Sequence, residues 1–136
     1  MKLHYSSTID HLTKVFNRTS IEKHLITEIK RTKLTEEPLT IVSFDIDHFK
    51  SINDTFGHPT GDSVLQQMAF LVKDSIRKSD PLGRWGGEEF LIVLPNTDHL
   101  GSGQLIMNLK NGIESFNFGV DKTVTVSFGI GQHKKK

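Results

Sequence analysis

Residues Leu39 to Phe44 form a short, almost wholly apolar run held between Pro38 and Asp45. A run of this length bounded by chain breakers reads as a strand buried on both faces. Such a strand cannot stand alone and requires neighbouring strands and covering elements. The surrounding pattern supplies them. Thr19 and Glu22 make a Thr-x-x-Glu capping box, and Ile21, Leu25, Ile26 and Ile29 follow at helical spacing. Glu36, Glu37 and Pro38 mark a loop. After the strand, the stretch from Asp47 to Asn53 begins a short helix, and Phe56 to Gly61 is turn chemistry. Asp62 is placed to cap a long helix carrying Val64, Leu65, Met68, Leu71, Val72 and Ile76 on one face. Leu82–Trp85 and Phe90–Leu94 flank Gly86-Gly87, which reads as a β-hairpin, and Pro95-Asn96 breaks the second strand. Leu105, Ile106, Leu109, Ile113 and Phe116 form another helical stripe. Val124, Val126, Phe128 and Ile130 alternate with polar or small residues as a half-buried strand. The fold class predicted is α+β, an α/β sandwich with a sheet covered by helices on one face.

A length of 136 residues fits a single domain over 1–136. Lys and Arg total 17 against 16 Asp and Glu, a net charge of +1. Without Lys134, Lys135 and Lys136 the count is 14 basic to 16 acidic residues. This balance gives no argument for a nucleic-acid partner. The chain has no Cys, which excludes disulfides, thiolate zinc sites and a cysteine nucleophile. No apolar run approaches the length of a membrane span, and Met1 to Asp10 lacks the apolar core of a secretory signal. A cytoplasmic location is the expectation.

Chemistry concentrates on acidic groups. Asp45 and Asp47 close the buried strand, and Glu88 and Glu89 follow the Gly pair. If the hairpin pairs beside that strand, Asp45 and a Glu converge at one sheet end. Two or three carboxylates on a rigid scaffold suit Mg²⁺, which takes one or two carboxylates together with substrate phosphates. The chemistry implied is phosphoryl or nucleotidyl transfer. Glu88 and Glu89 read equally as solvated turn residues. Gly86 and Gly87 let a backbone approach a ligand closely, or simply close a turn. Lys50 can reach a phosphate or be an ordinary surface lysine. Asn53 and Asp62 can accept the Watson–Crick donors of guanine, or act as a turn residue and a helix cap. His58 is a ligand contact or a turn residue. Arg77 and Asp80, in an Arg-x-x-Asp spacing, can be no more than a helix-end ion pair.

Taken together these blocks resemble the GGDEF family, the diguanylate cyclases, a group of bacterial signalling enzymes. The family motif stands here in its Glu form as Gly86-Gly87-Glu88-Glu89-Phe90, preceded by Gly83-Arg84-Trp85. Phe44 to Asp54 is similar to the family's metal and phosphate segment. Gly57-His58-Pro59-Thr60-Gly61-Asp62 matches its Gly-His-x-x-Gly-Asp turn. Asp10-x-Leu12-Thr13 with Asn17-Arg18 matches its opening motif, and Val124 to Ile130 a late strand. The resemblance implies a fold like the palm of nucleotidyl cyclases and polymerases. It implies condensation of two GTP into cyclic di-GMP with release of two pyrophosphates, at the interface of a homodimer. Asp45 and Glu88 would be the principal metal ligands, assisted by the Ile46 carbonyl and Glu89. Glu88 would also be the proton acceptor. The cofactor implied is Mg²⁺, with Mn²⁺ as a substitute. Phe49 and Lys50 would contact phosphates, Asn53 and Asp62 would hold guanine, and His58, Gly86 and Gly87 would line the substrate site. Arg77 and Asp80 match the family's product-inhibition site, with cyclic di-GMP as inhibitor.

Two departures accompany the resemblance. Lys14 stands where the opening motif usually carries Gly, which is expected to change a loop and not the chemistry. After the late strand the family continues with a helix and a strand that supply a Lys and an Arg to the triphosphate. Here the chain ends Gly131-Gln132-His133-Lys134-Lys135-Lys136, so the domain is read as C-terminally shortened. The alternative reading is a GTP- or cyclic di-GMP-binding regulatory module with impaired turnover.

Overall fold

In the computed structural model, residues 7–133 are described. The run of Lys134 to Lys136 lies outside them. The elements in chain order are α1 (Arg18–Thr35), β1 (Leu39–Ile46), α2 (Phe49–Phe56), α3 (His58–Ser75), β2 (Leu82–Gly86), β3 (Glu89–Pro95), α4 (His99–Ser115) and β4 (Val126–His133). This is the α+β order read from the sequence. One antiparallel sheet runs β2-β3-β1-β4. No helix among the described residues is long and apolar enough to cross a membrane.

The strand periodicity sorts the core into two layers. Val42, Phe44 and Ile46 of β1 share one face with Phe90, Ile92 and Leu94 of β3, and α2, α3 and α4 cover it. There Phe44 stacks on Phe90 with ring centroids 5.1 Å apart. The opposite face carries Leu39, Leu91 and Val93, and α1 covers it with Ile21, Leu25 and Ile29. Helices therefore lie on both faces and not on one. The cause is that β1 and β3 are apolar at odd and even positions alike, so each face needs a cover. The seat of α1 on β2 is close: a Cβ at Gly83 would come within 2.3 Å of the Ile21 Cβ.

Three local readings are corrected by the structure. The first helix starts at Arg18, and its cap is Asn17, whose side-chain oxygen accepts from the Ser20 N–H at 2.9 Å. Asn caps as well as Thr does, and it fixes the start two residues ahead of the Thr19 signal. Asp62 does not cap, because α3 begins four residues earlier with Pro59 in its first turn, where a missing N–H costs nothing. The turn of Phe56 to Gly61 shrinks to Gly57 alone, which ends α2 and starts α3 at φ +95°. In β4 the alternation buries Val126 and half-buries Phe128. Ile130, opposite Val42 on this edge strand, is 54% exposed.

Lys14 takes up a left-handed conformation that glycine adopts most readily. Its φ is +64°, and its N–H donates to the Asp10 carbonyl at 2.8 Å. A left-handed residue with a Cβ is strained by about 1 kcal/mol or more. Lys14→Gly is therefore expected to raise unfolding stability by about 1 kcal/mol in urea titration. An unchanged or lower midpoint would show that this turn carries no strain.

Candidate active site

The register of β1 on β3 sets Asp45 directly opposite Glu89. Residues opposite each other in an antiparallel pair share a face, with Cβ atoms roughly 4.5–5.5 Å apart. Two like charges so placed repel one another. Neither carboxylate has a hydrogen bond or ion pair among the described residues to offset this. Both line a shallow cleft of about 220 Å³ with Ser43, Phe44, Ser127, Phe128 and Gly129. Glu88, half-buried, follows in the loop, and the Ile46 carbonyl lies one residue beyond Asp45 on β1.

The hairpin loop is Gly87–Glu88, closed between Gly86 and Glu89. Only its first position has positive φ, +52° at Gly87, the place where such a loop demands Gly. Gly86 has no such demand, and a Cβ there would meet nothing within 4 Å. The fold itself therefore gives no reason for glycine at Gly86.

Arg84 holds the loop from within, an arrangement that sequence spacing did not reveal. Its Nε donates to the Gly87 carbonyl at 2.8 Å, and its Nη1 lies 3.3 and 3.5 Å from the Asp10 carboxylate oxygens. Burial pushes the Asp10 carboxyl up, but hydrogen bonds from the Thr13 hydroxyl and N–H, with Arg84, outweigh it and hold the group below its ordinary value. Asp10 and Arg84 are 74 positions apart. The signal for them was that each sits in a separate matched block.

Asp47 is used structurally. Thr125 Oγ1 and Ser127 Oγ donate to its carboxylate at 2.7 and 2.5 Å, and its N–H donates to the Thr125 carbonyl at 2.9 Å. The Ser127 bond chiefly lowers the Asp47 carboxyl, against burial, with Thr125 and His48 adding to it. These bonds tie the β1–α2 turn to β4. His48 in that turn is left-handed, φ +56°, at the start of α2.

The remaining candidates lie around the α2–α3 corner. A Cβ at Gly61 would fall 1.7 Å from Asn53 Oδ1, so any larger residue there would displace the Asn53 side chain. The Asn53 carboxamide thus rests against α3, one residue from the exposed Asp62. His58 is exposed at the first position of α3. The Phe49 ring is part of the core, so only its main chain is available to a ligand. Lys50 pairs with Asp54 at 3.4 Å on the open surface.

Arg77 and Asp80 stand apart from these groups. Asp80 is buried, and both its oxygens accept from Arg77: Nε at 3.0 and 3.1 Å, Nη2 at 2.8 Å, and the Arg77 N–H at 2.9 Å. Arg77 Nη2 also donates to the Pro95 carbonyl and Thr97 Oγ1, each at 2.8 Å. The hydrogen bonds to Asp80 push the guanidinium further up. The pair closes on itself and ties the α3–β2 loop to the end of β3. Beside it lies a cavity of about 430 Å³ reaching Gln104 and Asn108 of α4.

Among the described residues no three His, Cys, Asp or Glu side chains gather closely enough to hold a metal ion. Asp45, Glu88 and Glu89 thus form no ready-made cage. What the fold does assemble is a set of hard oxygen donors with excess negative charge. That set fits an Mg²⁺ shared with substrate phosphates and not one enclosed by protein.

Asp10 and Asp47 both have lowered carboxyl values in the fold. Their contribution to stability is therefore present above the ordinary carboxyl range, about pH 4, and is lost as pH falls through the lower folded values. Asp47→Asn should be less stable at neutral pH and lose less stability between about pH 5 and pH 3 than the parent. Urea titrations at fixed pH check this; parallel curves would contradict it.

The family described as diguanylate cyclase, GGDEF domain, matches residues 7–136. The diguanylate cyclase DgcP of Pseudomonas aeruginosa is 39% identical over 124 residues, which are 89% of this chain and 18% of that protein. The GGDEF domain of DgcB from Caulobacter crescentus, solved in complex with c-di-GMP, superposes with a TM-score of 0.89 at 26% identity, covering 99% of this chain and 80% of that one. The active GGEEF domain of a diguanylate cyclase from Vibrio cholerae superposes with a TM-score of 0.81 at 34% identity, covering 86% and 76%. The chain spans little more than a third, or less, of the curated relatives it matches.

Proposed function

The chain belongs to the GGDEF diguanylate cyclase family, and we propose on that premise that it condenses two GTP into cyclic di-GMP and two pyrophosphates. The observation that carries this reading is the pairing of Asp45 with Glu89, two uncompensated carboxylates on adjoining strands beside a glycine turn. Asp45 and Glu88 are the principal ligands for Mg²⁺, for which Mn²⁺ can substitute, with the Ile46 carbonyl and Glu89 assisting. When bound, Mg²⁺ supplies charge neutralisation on the attacking and leaving oxygens.

The chain's own groups then bind and orient. Gly86, with open space where a side chain would stand, lets a phosphate approach the strand. The Phe49 N–H at the start of α2 faces anions as helix N-termini do, and Lys50 adds a point charge once released from Asp54. Asn53, set by Gly61, and Asp62 accept the guanine N1–H and N2–H donors, with His58 beside them. Glu88 takes the proton of the 3′-hydroxyl. Each domain holds one GTP, and two domains face each other as a homodimer so that each hydroxyl attacks the partner's α-phosphate in line. Catalysis is then positioning and charge neutralisation, which needs few side chains. The reaction draws on the GTP pool of the cytoplasm. Arg77 and Asp80 receive the product as inhibitor. Arg77 must first leave Asp80, whose oxygens it occupies.

The test is product analysis after incubation with GTP and Mg²⁺ at defined protein concentration. Cyclic di-GMP is expected, with a rate per chain that rises with concentration, and Glu88→Gln should reduce it by about a hundredfold or more. Gly86→Ala should reduce it at least about tenfold. Its melting temperature should stay within about 2 °C, because the new Cβ meets no atom of the fold. A folded, dimeric preparation that forms no cyclic di-GMP would refute the proposal.

A further inference from the structure

Trp85 is the single tryptophan of the chain and stands directly before the Gly86-Gly87 turn. The register of β2 on β3 shifts between Arg84 and Gly86, so Trp85 is the unpaired residue of a bulge. Bulges re-aim side chains and bend the strand beside functional loops. Here the indole turns to the α1 side and packs against the cluster of Ile21, Leu91 and Val93. Arg18, the first residue of α1, lies over it, with its guanidinium carbon 4.3 Å from the ring centroid.

Arg18 has no other partner in the described structure, neither a hydrogen bond nor an ion pair. Its charge sits where the helix dipole disfavours a cation, and the first turn of α1 holds no acidic residue to relieve it. The ring is what holds it. The main chain reinforces the same junction: the Phe16 N–H donates to the Leu82 carbonyl at 3.1 Å, and the Arg84 N–H donates to the Phe16 carbonyl at 2.8 Å. Arg84 in turn reaches the Gly87 carbonyl at 2.8 Å. Phe16, just ahead of α1, thus grips β2 by backbone at Leu82 and Arg84, and Arg18 at the start of α1 holds the bulge itself with a guanidinium lying over the ring.

We infer that Arg18 is a positioning residue for the Gly86–Glu89 turn: stacked on Trp85, it fixes the direction in which the bulged strand enters the loop and so places Glu88 and Glu89. This rests on the reading of that loop as the diguanylate cyclase site. A planar guanidinium stacks on the indole face over its whole width, whereas the ammonium of Lys touches it as a point, so Lys replaces Arg only in part.

Arg18→Gln and Arg18→Lys in the full chain test it. Arg18→Gln should lower kcat about tenfold with KM for GTP held within about twofold, the split expected when geometry and not binding is lost. Arg18→Lys should recover part of kcat. Melting temperatures should stay within about 2 °C of the parent. Without any nucleotide, amide exchange at Gly87, Glu88 and Glu89 should quicken about threefold in Arg18→Gln, the factor an exposed cation–π contact supports, with β1 amides unchanged. Trp85 fluorescence should become more accessible to acrylamide. Unchanged kcat with unchanged turn exchange overturns the inference. So does equal loss in both variants alongside a fallen melting temperature. A parent chain that makes no cyclic di-GMP refutes the functional reading instead, and exchange and quenching then decide the positioning role alone.

Discussion

The antiparallel register of β1 on β3 is the constraint from which the site follows. It puts Asp45 across from Glu89 and Phe44 across from Phe90 in one step. A slip of one residue would turn Val42, Phe44 and Ile46 out of the core and carry the carboxylate to the other face. The stacked Phe44 and Phe90 rings and the buried Val42 and Ile92 therefore fix more than stability. They decide that two carboxylates meet without a counter-ion. Apolar packing on both faces of the sheet holds the two carboxylates in this register, and the proposed Mg²⁺ would offset their charge.

Around that register the chain uses polar groups as clamps. Asp47 ties the β1–α2 turn to β4, Arg84 ties the hairpin loop to Asp10, and Arg77 with Asp80 ties the α3–β2 loop to the end of β3. Each clamp joins segments distant in sequence, and each lies at a bend next to a candidate binding group. Asp45, Glu88 and Glu89, the carboxylates proposed for chemistry, take part in none of these clamps. Acidic residues thus divide into satisfied and unsatisfied ones, and that division is visible only in three dimensions.

Much of this was legible beforehand. The bounded apolar run gave β1, the Gly pair gave the hairpin, and helical spacing gave α1, α3 and α4, because those signals are local. The convergence of Asp45 with a Glu followed from one assumption about pairing, which the register satisfies. The helix starts were misplaced because competing caps, Asn17 beside Thr19 and Pro59 ahead of Asp62, cannot be ranked by residue type alone. The second helical cover was missed because one-sided and two-sided burial differ only in whether odd positions such as Leu39, Leu91 and Val93 find a partner. Arg84 and Asp47 were invisible as clamps, since their partners lie 74 and about 80 positions away. Phe49 was placed at phosphate on the strength of resemblance; its ring belongs to the core, so only its main chain can serve that role.

The most direct measurement of the central claim is an amide NMR spectrum titrated with Mn²⁺ in the presence of a non-hydrolysable GTP analogue. A paramagnetic ion held between the ends of β1 and β3 should broaden the resonances of Asp45, Ile46, Glu88 and Glu89 first, and leave those of Arg77 to Asp80 sharp. Broadening centred elsewhere, or none at these four residues at saturating nucleotide, would contradict the assignment of this sheet end as the nucleotide and metal site.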